Sequence, residues 1–308
     1  MHDAASLPAL AGFLEATVRI ATPLGLAALG ETVTERSGVI NIGLEGCMLG
    51  GALAAAMAAH WAGSPWAGVL AGCAAGAAIA AVFAVFAIVL RGDQIVVGTA
   101  ITLAAVGATG AIYRAAFGVT GTALSLPTLA PRAVPVLESV PLVGAALFRQ
   151  SVPTYLLYVA AAATWALFAR TQLGLAIRAA GESPTAAEAA GLRVSRLRFG
   201  ATLFGGGMAG LAGATLVLAQ AGTFAERMTA GRGFVAIAIV VLGRWRPLGV
   251  LAAALVFGAA SALEFAFQAF GLNVPYQFFL MAPYVVSLLA LAGAFGRSQA
   301  PESLGRNT

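Results

Sequence analysis

Apolar runs close to the thickness of a lipid bilayer recur from end to end of this chain, and they restrict its fold more than any other feature. They cover 11–30, 46–61, 66–90, 96–113, 154–169, 200–218, 234–243, 248–264 and 276–295. A helix crosses the hydrocarbon core with roughly 20 residues. The seventh run, 234–243, is too short to cross alone and reads as a half-buried or extended piece. Inside lipid every backbone N–H and C=O must be paired, which leaves only helices and closed barrels. A barrel needs alternating segments of about ten residues, and the runs do not alternate. Charge agrees with this reading: 9% of the residues are charged and 60% are hydrophobic, whereas a soluble domain carries roughly 25% charged residues. A soluble globular enzyme and a disordered chain are both excluded. The expectation is an all-α polytopic membrane protein with about nine transmembrane helices, some broken or re-entrant. It forms a single domain over 1–308, with the membrane region at 11–295.

The polar residues exclude further classes. All 17 basic residues are Arg, so a nucleotide-binding loop of the G-x-x-x-x-G-K-[ST] type cannot form, and neither can a Schiff-base lysine. The net charge of +5 reads as Arg in cytoplasmic loops, with no nucleic acid as partner. Cys47, Cys73, His2 and His60 are not at metal-ligand spacing, so neither a zinc site nor a disulfide framework is expected. Placing the Arg-rich connection 170–199 in the cytoplasm puts eleven Arg inside and five outside (Arg114, Arg132, Arg149, Arg227 and Arg232). That bias predicts an external N-terminus and a cytoplasmic C-terminus in a bacterial inner membrane. The Pro-rich stretch 119–153 becomes an external loop with room for a short helix, and 297–308 a polar, frayed cytoplasmic tail.

Four local patterns carry chemistry. The segment Thr34-Glu-Arg-Ser-Gly-Val-Ile-Asn-Ile-Gly-Leu-Glu-Gly46 interrupts two apolar runs. Non-helical backbone at membrane depth survives only where it lines a cavity or is buried in protein. One reading is therefore a broken segment lining a solute path through Asn41, Gly43 and Glu45. The other is a cytoplasmic turn with Glu31, Glu35 and Arg36 in water. The second pattern, Gly181-Glu-Ser-Pro-Thr-Ala-Ala-Glu-Ala-Ala-Gly191, has the punctuation of a short helix: Ser183 to cap it, Pro184 at its first position and Gly191 to stop it. Two turns are not stable alone in water. This helix either docks on another protein or packs on the chain's own loops.

The third pattern, Gly205-Gly-Gly-Met-Ala-Gly210, formally matches a dinucleotide fingerprint, but it lies in an apolar span with no preceding strand. Close helix packing through Gly206 and Gly210 is the better reading. The fourth is a short apolar helix bracketed by Gly231 and Gly243 that turns at Trp245-Arg-Pro247. Interrupted helices of this kind line substrate sites in transporters, which nominates Phe234 and Trp245; a packing element is the alternative. Glu15 and Arg19 sit at i, i+4 in the first span and are expected to neutralise each other. Glu264, Gln268 and the aromatics Phe265, Phe267, Phe270, Tyr276, Phe278 and Phe279 read as an interfacial belt.

Three stretches resemble the nucleoside-type members of the branched-chain amino acid/ribose permease family of ABC importers. They are Glu35–Gly46, Ile177-Arg-Ala-Ala-Gly-Glu-Ser-Pro-Thr-Ala-Ala187 with Gly191, and Gly231-Arg-Gly-Phe234 followed by Gly243-Arg-Trp-Arg-Pro247. The resemblance covers about 20–295 and implies a type II importer-like permease that works by alternating access. It makes 170–199 a coupling loop, with Glu182, Ser183, Pro184, Ala186, Ala187 and Gly191 as the helix that docks on a separate ATPase. ATP and Mg would then be bound by that ATPase, leaving this chain without a cofactor or catalytic residue. The implied partners are a second, homologous permease (in a heterodimer or a homodimer) and a substrate-binding lipoprotein or periplasmic protein. Val39-Ile-Asn41 stands where ribose-type relatives have an Asp-Leu-Ser pattern, which points to nucleosides; a sugar, riboflavin or a purine derivative stays open. Two other classes compete with this reading. An ion-coupled secondary transporter needs an intramembrane titratable group, for which Glu15, Glu45 and Glu264 are the candidates. An intramembrane enzyme finds no nucleophile, base or metal cluster at workable spacing.

Overall fold

The computed structural model describes residues 3–118, 125–135, 137–138, 140, 143–269, 285 and 300–306, with side chains over 10–263 within these ranges except Val143, at Val285 and over 300–306. The helices are α1 (Asp3–Arg36), α2 (Leu44–Ala62), α3 (Pro65–Ala84), α4 (Gln94–Phe117), α5 (Val143–Phe148), α6 (Val152–Arg170), α7 (Gln172–Glu182), α8 (Pro184–Ala189), α9 (Val194–Thr215), α10 (Arg232–Leu242) and α11 (Pro247–Ala269). Both α3 and α9 end in a π-helical turn, Val85–Val89 and Leu216–Ala221. Among the described residues, five helices are long and apolar enough to cross a bilayer: Leu10–Arg36, Pro65–Val89, Gln94–Phe117, Val152–Arg170 and Val194–Ala221. Apart from Val285, the run at 276–295 lies outside the described residues, as do Phe270, Tyr276, Phe278 and Phe279 and the side chains of Glu264, Phe265, Phe267 and Gln268. In the Pro-rich stretch, α5 is the expected short helix. Beside it Arg132–Ala133 (β1) pairs antiparallel with Arg149–Gln150 (β2).

The core is organised around α9. Of its best apolar window 83% is buried inside the protein, against 22% for α4, so α9 is a central helix and α4 a peripheral one. The glycines explain why α9 can sit there. Gly205 faces Gly30 and Thr34 of α1, Gly206 and Gly210 face Gly76 and Gly72 of α3, and Gly210 also meets Gly51 of α2. With no hydrophobic force to separate helices from lipid tails, close backbone approach and van der Waals contact drive their association. The G-x-G-x-x-G run is thus a packing ridge read on several sides at once.

The chain departs from expectation in three places. First, α1 continues past Gly30 to Arg36, so Glu31 and Glu35 are helical. Both side chains are buried, at 0% and 1% exposure, which overturns the solvated-turn reading. Second, Glu15 and Arg19 form no ion pair, and the described ion pairs are Arg36–Glu182, Arg114–Glu226 and Arg149–Glu138. The i, i+4 spacing permits a pair but does not impose one: Glu15 is half-buried within the protein and Arg19 is exposed. Third, residues 300–306 of the supposedly frayed tail fold back onto the body, and Ser303 is buried.

Candidate functional site

The interrupted segments meet inside the fold. Residues 37–43 join α1 to α2, with Ser37, Val39 and Asn41 fully buried. Gly38 takes a left-handed φ of +94°, a conformation that glycine adopts without steric cost. The loop is tied back to α1: the Asn41 N–H donates to Glu31 Oε1 at 2.8 Å. It is also tied to α4, where the Ile40 N–H donates to Gln94 Oε1 at 2.8 Å. Asn41 precedes α2 and does not share a helical face with Glu45; the first turn of α2 begins at Leu44.

Glu45 turns away from the loop toward α10. After α9 the chain leaves its π-helical turn at Gly222 and reaches the start of α10 beside the first turn of α2. There Glu45 Oε1 accepts from Thr229 Oγ1 at 2.6 Å and from the Gly231 N–H at 2.9 Å. Its other oxygen, Oε2, accepts from the Gly233 N–H at 2.7 Å. The leading N–H groups of a helix have no partner within the helix and attract negative charge. A carboxylate from another helix therefore caps α10, which carries no side-chain cap of its own. Arg232 is half-buried and lies near Glu45. Its Nη1 donates to the Met228 carbonyl at 2.8 Å.

The far end of α10 is held by α1. Arg244 and Trp245 take positive φ values of 57° and 53°, uncommon for residues with side chains. The sharp turn aims the indole inward, where Trp245 Nε1 donates to Glu35 Oε2 at 2.5 Å. Arg36 Nε donates to the Trp245 carbonyl at 3.1 Å. Replacing Trp245 with Phe keeps most of the ring but removes the N–H. Two oxygens of a buried carboxylate would then lack donors, at a cost of about 1–3 kcal/mol. A thermal melt of the purified protein should register this loss, and an unchanged melting temperature would contradict it.

Of the five residues nominated for a solute path, Asn41 and Trp245 are buried, Gly43 lies in the buried loop, and Glu45 has both oxygens engaged. Only Phe234, at 46% exposure, faces outward. Glu45 and Trp245 thus belong to the machinery that orients α10, because their polar atoms are spent on it. Glu31, Glu35, Thr229 and Arg198 have roles that the sequence did not reveal. A like-charged i, i+4 pair, Glu31 and Glu35, beside an apolar run was the one signal available.

The predicted docking helix exists and is shorter than its punctuation suggested. Pro184 opens α8, and Gly191 follows it at φ +84°. Ser183 occupies the cap position but makes no side-chain cap bond; its carbonyl accepts from the Ala187 N–H at 2.9 Å. Glu182, Ser183, Ala186 and Gly191 are exposed, whereas Pro184 and Ala187 are buried. Ala187 packs with Ala180 of α7 and Val194 of α9. The slim residue at this position therefore serves an internal contact of α8. Thr185, Ala186, Glu188 and Ala189 form the outward face.

Comparison with known proteins adds an independent line. Residues 13–292 match the family model described as branched-chain amino acid transport system / permease component. The guanosine ABC transporter permease protein NupQ of Bacillus subtilis (strain 168) is 37% identical over 94% of each chain. The nucleoside ABC transporter permease protein NupC of Lactococcus lactis subsp. cremoris (strain MG1363) is 34% identical over 93% of each. The putative glucose ABC transporter permease protein TsgC13 of Haloferax volcanii is 40% identical over 85% of this chain and 79% of its own. No solved structure matches.

Proposed function

Because the chain belongs to the permease-component family of the branched-chain amino acid transport system, we propose that it is the membrane-spanning subunit of an ATP-driven importer of nucleosides. Its own role is passage. ATP and Mg are bound and used by a separate ATPase, and a binding protein delivers the solute from outside. The observation that carries this reading is α8, a short helix whose outward face, Thr185, Ala186, Glu188 and Ala189, is uncovered. Such a helix fits a groove on a partner and gains little by facing water. In the proposed topology α8 lies in the cytoplasm with the C-terminus, the N-terminus is external, and about nine helices, some broken or re-entrant, make a type II arrangement. The solute path is proposed to run beside the exposed face of α10 around Phe234, against a second, homologous permease. Asn41, Gly43 and Glu45 form the wall behind it.

Nucleosides are favoured by the names of two relatives that align along nearly the whole chain. A sugar is the second reading, favoured by the glucose-named relative. A solute that binds both access states equally shifts neither, so transport energy must enter through the nucleotide. The test is to assemble the chain with its ATPase, second permease and binding protein in lipid vesicles. Hydrolysis and uptake are then measured with guanosine, other nucleosides and glucose. Stimulation by nucleosides is expected, and a response to glucose alone would transfer the assignment to sugars.

The two faces of α8 make separate predictions. Ala186→Glu and Ala189→Glu should leave the melting temperature of the isolated permease within a degree or two. Binding of the ATPase, read by co-purification, should fall at least tenfold. Ala187→Glu would bury an unpaired carboxylate and should lower the melting temperature itself. Equal behaviour of the inner and outer positions would count against the docking assignment.

A further inference from the structure

The feature left unexplained is the return of the C-terminal segment to the base of α8. Ser303 has its backbone N–H 3.0 Å and its hydroxyl 2.6 Å from the carbonyl oxygen of Gly181, and donates to it from both. Gly181 lies near the end of α7, three residues before Pro184 opens α8. The Ser303 hydroxyl also accepts from Arg198 Nη2 at 3.1 Å. The same guanidinium donates through Nε to the Ser37 carbonyl at 3.1 Å. One residue pair further on, the Gly305 N–H donates to the Gly38 carbonyl at 3.2 Å. Ser303 and Arg198 are each 5% exposed. Leu304 packs against the main apolar cluster.

Four segments distant in sequence therefore converge on one buried knot: the end of α1, the end of α7, the start of α9 and the tail. The Gly181 carbonyl belongs to the last turn of α7, where intrahelical donors run out, and the tail supplies two. Gly38 is required here for room as well as for its φ, since a side chain on it would meet Ser303 Oγ and Arg198 Nη2. Arg36, one residue before the knot, also reaches Glu182 at 3.9 Å. A knot of this kind fixes the α7–α8 junction to α1, and α1 in turn holds the Trp245 end of α10.

We propose that Ser303 and Arg198 are positioning residues for energy coupling: the C-terminal segment clamps the base of α8 to α1, so that displacement of α8 by the ATPase moves the helices beside the solute path. The coupling role rests on the permease reading above, whereas the clamp itself does not. Two measurements separate them. Hydrogen exchange of the full-length permease in lipid nanodiscs reads the clamp alone. In Ser303→Ala, amides of 179–191 and 36–40 should exchange about fivefold faster, with those of the α3–α9 crossing unchanged. Ser303→Thr, which keeps the hydroxyl, should exchange like the unaltered protein.

The second measurement uses the assembled transporter in vesicles with guanosine. In Ser303→Ala, ATP hydrolysed per guanosine taken up should rise at least threefold while ATPase binding is retained, and Ser303→Thr should restore the ratio. Unchanged exchange in the alanine variant overturns the clamp. Faster exchange with an unchanged ratio overturns the coupling role. Equal ratios for alanine and threonine overturn the part given to the hydroxyl. If guanosine fails to stimulate the unaltered assembly, the nucleoside assignment falls, while the exchange result still decides the clamp.

Discussion

Glu45→Ala should abolish transport and destabilise the permease by on the order of 3–5 kcal/mol. Three donors, the Thr229 hydroxyl and the N–H groups of Gly231 and Gly233, would lose their acceptor in a buried setting. The nearby Arg232 would lose its opposite charge. Each unsatisfied buried donor costs about 1–3 kcal/mol. Glu45→Gln keeps the shape but turns one oxygen into an amide that faces a donor. It should fall between the alanine variant and the unaltered protein. Melting temperature and solute uptake together check this. If Glu45→Ala melts normally and loses only uptake, the residue contacts solute instead of capping α10.

The second large effect is expected at the crossing of α3 and α9. A methyl group on Gly76 would lie 2.6 Å from the Gly210 Cα and 2.7 Å from its nitrogen. These neighbours are backbone and cannot rotate away. On Gly210 the added carbon would meet the Gly76 Cα at 2.9 Å. Gly210→Leu should therefore force α3 and α9 apart and prevent recovery of a monodisperse permease in detergent. Gly210→Ala should lower the melting temperature by several degrees, because overpacking costs about 1–3 kcal/mol even where the backbone shifts. Gly207→Ala is the control on the same turn of helix, since its nearest neighbour, Cys73 Sγ, lies 3.4 Å away. Equal tolerance at Gly207 and Gly210 would show that the crossing is looser than described.

These two sites differ in how far the sequence announced them. The glycine ridge was legible because its signal is local: small residues four apart on one apolar helix imply close packing whatever the partner. The span positions and the punctuation of α8 were legible for the same reason, since apolar run length and residues such as Pro184 and Gly191 act within a few residues of themselves. Glu45 stands out in the sequence, but its cap on α10 does not. Nothing in its neighbourhood shows that its partners are Thr229, Gly231 and Gly233, more than 180 positions away. The inward position of Ala187 was not legible, because a slim residue suits an internal contact and an external one equally.

The sequence by itself determined that the chain is helical, lies in a membrane and cannot bind nucleotide through a lysine loop. Those properties follow from composition and from periodicities shorter than one helix. The tertiary structure decided which side of each polar residue is spent: Glu45 on α10, Glu35 on Trp245, Arg198 on the tail. A buried polar atom takes whichever donor or acceptor the packing brings within about 3 Å. That neighbour is set by the crossing of whole helices and not by the residues beside it in the chain.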